Sequence, residues 1–77
     1  MVVILLLGKG LLDYTPVKAF MDAQPRGTLF VVKDVRGVAR VAQRHAEACD
    51  LPLLTMNDAA AKQRMAPFVT RVVTFED

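Results

Sequence analysis

The sequence predicts one small α/β domain, a four-stranded parallel sheet with helices on both faces in the order β-α-β-α-β-α-β. Three observations predict it. The chain opens with the apolar run VVILLL at 2–7, which shows no polar alternation, the pattern of a strand buried on both faces. Three more short β-rich runs follow at 28–32, 51–56 and 70–75. Stretches of helical periodicity separate the runs, and alternating strands and helices imply a parallel sheet. The expected strand order is 3-2-1-4.

The elements follow in turn. After the first strand, Thr15-Pro16 marks a helix start, with Thr15 as cap and Pro16 at the first helical position. Val17, Phe20 and Met21 share one face of this helix, and Gln24-Pro25-Arg26-Gly27 ends it. Thr28–Val32 is the second strand. Asp34 or a neighbour starts the second helix, which runs to about Cys49; Val35, Val38, Ala42, Ala46 and Cys49 form its buried stripe. Leu51–Met56 is a short third strand entered through Pro52, which suits an edge. Asn57 or Asp58 caps a third helix over Ala59–Ala66, stopped by Pro67, and Thr70–Phe75 is the last strand.

Composition bounds the function. The chain has 77 residues, too few for more than one domain. Hydrophobic residues make up 53% and the mean hydropathy is +0.31. That is rich for a lone small monomer, whose core is marginal, and it favours association with further copies. One cysteine excludes a disulfide framework, and no Cys/His cluster is present in the sequence to suggest a structural zinc site. The opening run has no basic n-region and is too short for a bilayer span, so a cytoplasmic protein is expected. The net charge of +2 and the pI of about 9.0 are mildly basic, without a run of like charges.

Ligands of open parallel sheets bind outside the carboxyl ends of the strands, where the strand order reverses. Residues 8–13, 33–37 and 56–58 occupy that edge. Gly8-Lys9-Gly10 reads equally as a phosphate loop or as a tight β-to-α turn that needs glycine, and Lys9 adds a cation. Asp13 either binds a ligand or caps the first helix; Tyr14 either stacks on a base or packs against that helix. Lys33 and Arg36 stand where an anion would relieve their repulsion, unless Asp34 does so. Arg40 and Arg44 continue the basic face, Arg44 as a solvated residue. His45 reads as a packed or interface histidine and Cys49 as a core thiol. Arg64 either reaches over the sheet edge or pairs with Asp58 or Glu76.

Three segments carry a family resemblance: GKGLLDYTP after the first strand, VRGVARVAQRHAEACDLPL after the second, and AAAKQRMAPFVTRVVTF at the end. In order and spacing they resemble the small Rossmann-like domains of the SLOG superfamily, which includes the YpsA-like and lysine-decarboxylase-like (LOG) proteins. Gly8, Asp13 and Tyr14 match the first motif of that superfamily. Arg36, Gly37, Arg40 and Ala42 match the second, and Gln63, Arg64 and Met65 the third. The resemblance implies binding of nucleotides or nucleotide-derived ligands, with phosphates over the glycine-rich turns. Lys33 and Asp34 replace the paired glycines expected before the second helix. The P-G-G-x-G-T-x-x-E segment that supplies the catalytic glutamate of the LOG enzymes has no counterpart before the chain ends at Asp77.

The expected function is therefore non-catalytic binding of a phosphate-bearing, nucleotide-derived molecule by a homo-oligomer, with no cofactor and no metal. Sensing and sequestration both fit, including sequestration by a viral counter-defence protein in a host cytoplasm. The alternatives are a protein-interaction module with a decayed ligand site and a single-stranded nucleic-acid binder. The one tyrosine and absent tryptophan provide little stacking surface for the latter.

Overall fold

The computed structural model describes residues 2–8, 13–33, 37–56, 63–64 and 66–75. Strand β1 spans Val3–Leu7, helix α1 Thr15–Ala23, β2 Leu29–Val32, helix α2 Val38–Cys49, β3 Leu53–Thr55 and β4 Arg71–Thr74. A 3₁₀ turn at Ala66–Phe68 precedes β4 and runs through Pro67, where the sequence suggested a stop. All pairings are parallel and the order is β3-β2-β1-β4, as the sequence implied. No described helix is long and apolar enough to cross a membrane.

Strand alternation divides the core into two layers. Ile4, Leu6, Phe30 and Val32 face α1 and α2, meeting Val17, Met21, Val38, Ala39, Ala42 and Ala46. Val3, Leu5 and Val31 face the other way, with Met56 and the half-buried Val69. Right-handed crossovers account for the division. The chain steps from β1 to β2 to β3 in one direction, so both helices fall on one face. It then returns past β1 to β4, and the described flanks of that return, Met56 and Val69, pack on the opposite face. Of the third helix expected there, Gln63 and Arg64 are helical; residues 57–62 and 65 lie outside the described set.

The edges are apolar. Register aligns Leu54, Val31, Leu5 and Val72 in one row across the second face. The inner pair is buried, whereas Leu54 and Val72 at the two edge strands are 41% and 56% exposed. On the helical face, Phe20 of α1 meets Phe75 edge to face at 5.8 Å, and the Arg71 guanidinium lies 5.5 Å from the Phe20 ring centroid. These contacts clamp α1 onto β4. Thr70 locks the start of β4: its hydroxyl and its N–H both reach the Val3 carbonyl, and Val3 N–H donates to the same hydroxyl.

Candidate functional site at the carboxyl edge

The strand order reverses between β1 and β4, so Gly8 at the end of β1 stands beside Phe75 at the end of β4. Its φ is +141°, and a Cβ there would lie 2.5 Å from the Phe75 carbonyl oxygen and 2.9 Å from a Val38 methyl. The glycine is required by close packing of two strands against the first residue of α2. The same approach brings the N-terminus of α2 to the reversal point.

Both helices start at this edge, but their first turns differ. Asp13 accepts the Thr15 N–H at 2.9 Å and the Thr15 hydroxyl at 2.8 Å. These bonds, with Lys18 nearby, hold its carboxyl below the ordinary aspartate range. Asp13 thus tethers the start of α1, and the half-buried Tyr14 ahead of it packs on the helical-face core. At α2 the residue before the helix is Gly37, with φ 56° and ψ −127°, and no side chain caps it among the described residues. Val41 N–H bonds to the Gly37 carbonyl at 3.2 Å. The first turn, Val38-Ala39-Arg40, holds no acidic residue. Exposed Lys33 follows β2 and exposed Arg40 lies on α2's first turn. This end of α2 therefore offers amide donors, the positive end of a helix dipole and two cations.

Of the other residues expected here, Lys9, Gly10 and Arg36 lie outside the described residues, as does Asp34. Arg64 is exposed, within the β3–β4 connection; Asp58 and Glu76, the partners considered for it, are also outside.

Two cavities lie away from this edge. One, of about 540 Å³, opens at the amino ends of β2 and β3 between Asp22, Arg26, Thr28, Cys49, Asp50 and Pro52. A second, of about 520 Å³, runs beside β3, where Gln43 donates to the Thr55 hydroxyl. Sequence reasoning missed the first region, and Cys49 requires a correction. It is exposed, not a core thiol, because α2 closes at this residue: Asp50 turns left-handed, and Leu51 N–H bonds back to the Ala46 carbonyl. His45 is half-buried and bonded to Asp22. The signal that could have found the pair is His45-x-x-x-Cys49, one helical turn apart.

No family model, curated protein or solved structure matches the chain.

Proposed function

We propose that this chain binds a nucleotide-derived, phosphate-bearing small molecule at the carboxyl edge, between β1 and the start of α2, and does so without turnover. The observation that carries the reading is the first turn of α2. It lies at the reversal in strand order, holds no acidic residue in its first turn, has no side-chain cap among the described residues, and has Lys33 and Arg40 exposed at the same edge. An anion is the natural complement of such a helix end. The resemblance to SLOG-type domains supports the nucleotide class, and the reading includes sensing and sequestration. Exposed Leu54, Val72 and Phe68 support a homo-oligomer.

The test is a thermal-shift titration with inorganic phosphate, ATP and a nucleoside diphosphate. A ligand at one hundred times its Kd adds about 2.7 kcal/mol of stability. For a domain of this size that is a rise in Tm of roughly 10–20 °C. Arg40→Glu should abolish the gain while leaving the unliganded Tm near that of the parent. A nucleotide series without any shift overturns the reading. A second reading, a protein-interaction module, rests on the same exposed apolar side chains; it predicts no nucleotide shift and a partner bound through Val72.

A further inference from the structure

At the amino edge of the sheet, three side chains from two helices converge. Asp22 comes from the last turn of α1, and His45 and Cys49 from successive turns of α2. His45 Nε2 is 2.8 Å from Asp22 Oδ1, and the Cys49 sulfur lies 3.8 Å from Nε2 and 3.9 Å from Nδ1. One potential ligand atom from each residue lies within 4.8 Å of the other two. We propose that Asp22, His45 and Cys49 form a binding site for a divalent transition metal of the zinc class, with one coordination position left toward the adjoining cavity.

The donor set argues for this class. One thiol, one imidazole and one carboxylate suit zinc or cobalt, whereas calcium and magnesium take oxygen ligands. The donor separations are close to what a tetrahedral ion needs. With metal–ligand bonds of about 2.0–2.3 Å, neighbouring donors in a tetrahedron stand roughly 3.4–3.6 Å apart. The sulfur–nitrogen separation is near that value, but the sulfur is almost as close to Nδ1 as to Nε2 and so lies off the Nε2 lone pair; the exposed Cys49 side chain must turn toward Nε2 to ligate. The Asp22–His45 pair must open by roughly 0.6 Å, and Asp22, whose side chain is 58% exposed at a helix end, is free to give it. In the unliganded chain Nε2 and Oδ1 share a hydrogen bond; when a metal ion takes Nε2 and Oδ1 the imidazole holds its single proton on Nδ1, and the thiol proton is released to solvent.

The setting favours a cation over thiol chemistry. Both helices end here, so their carbonyl ends supply partial negative charge and no amide donors for an oxyanion. Three protein ligands and an open position match a site that keeps a water or a ligand on its metal. The cavity of about 540 Å³ that Asp22 and Cys49 help to line, with Arg26, Thr28 and Asp50 on its walls, gives that fourth ligand room.

Cobalt tests the proposal. Stoichiometric Co²⁺ added to the reduced chain should produce a sulfur-to-cobalt charge-transfer band in the near ultraviolet and visible bands of tetrahedral intensity, both erased by Zn²⁺. Cys49→Ser, a change at an exposed position, should remove the charge-transfer band. His45→Ala and Asp22→Asn should each weaken Co²⁺ binding by about tenfold or more. Because Cys49 is the only cysteine, its alkylation by iodoacetamide is a second, unambiguous readout: Zn²⁺ should protect it and a chelator should restore reactivity. An unchanged alkylation rate with Zn²⁺, or a Co²⁺ spectrum identical in Cys49→Ser, overturns the site and leaves only a hydrogen-bonded Asp22–His45 pair. Neither readout depends on nucleotide binding.

Discussion

Replacing Gly8 by alanine tests whether the reversal point is as closely packed as the fold requires. The added Cβ would meet the Phe75 carbonyl oxygen at 2.5 Å and a Val38 methyl at 2.9 Å. Neither neighbour can step aside cheaply. One is backbone at the end of β4; the other is a β-branched side chain with no exposed surface. Overpacking of this kind costs about 1–3 kcal/mol. The φ of +141° adds about 1–3 kcal/mol of backbone strain. The sum, roughly 2–6 kcal/mol, compares with a total stability of roughly 4–12 kcal/mol for a chain of this length. A fall in Tm of at least about 10 °C is expected. Gly27→Ala is the control. Its φ is +85° but nothing lies within 4 Å of the added atom, so only the backbone term of about 1–2 kcal/mol remains. Urea denaturation of both variants by far-ultraviolet circular dichroism isolates the contact. Equal losses in the two variants, or a Gly8→Ala loss below about 0.5 kcal/mol, would refute the packing argument.

Other perturbations separate core, cap and edge. Phe30→Ala, at a side chain 1% exposed, should cost about 3–5 kcal/mol and leave a large fraction unfolded, measurable by the same denaturation curves. Asp13 has its carboxyl held below the ordinary range by Thr15. Its contribution is present above the unfolded-state value of about 3.9 and is lost as pH falls through the lower folded-state value. The parent should therefore lose Tm more steeply than Asp13→Asn below about pH 4; parallel acid profiles would remove the cap. Val72→Glu, at an edge-strand position 56% exposed, should leave helix content intact while converting the proposed homo-oligomer to monomer in sedimentation velocity. A parent that already sediments as a monomer ends that expectation.

The sheet was legible because its information is local. Runs such as VVILLL and LFVV carry their own burial pattern, and the helical stretches between them imply parallel pairing. Boundaries were less legible. The third strand was expected from Leu51, yet pairing begins at Leu53; Pro52 has no N–H to give but its carbonyl accepts from Phe30, so hydrophobicity alone overextends the strand. For α2, Gly37 rather than an acidic residue stands at the start, which periodicity does not reveal. Cys49 shows the limit of a helical wheel. It continues the Ala42–Ala46 stripe, but at the terminal turn it is exposed, with its sulfur against His45 rather than in the core. The Asp22–His45 contact joins residues 23 positions apart, and only the packing of α1 against α2 brings them together.

One topological fact links the two sites. In a parallel sheet joined by helices, every connecting helix runs against the strands. The N-termini of α1 and α2 therefore gather at the carboxyl edge and their C-termini at the amino edge. Helix dipoles then favour anions at one edge and cations at the other. Several side chains follow the same division, although Arg26 and Arg71 also stand at the amino edge. The carboxyl edge has Lys33 and Arg40 exposed beside an α2 start that no described side chain caps, and the one acidic group described there, Asp13, is committed to Thr15. The amino edge places Asp22, His45 and Cys49 at the helix ends, with Asp50 just beyond. Since the two sites use opposite ends of the same helix α2, each ligand would brace α2 against the sheet. Phosphate at its first turn and metal at its last should raise Tm together more than either does alone.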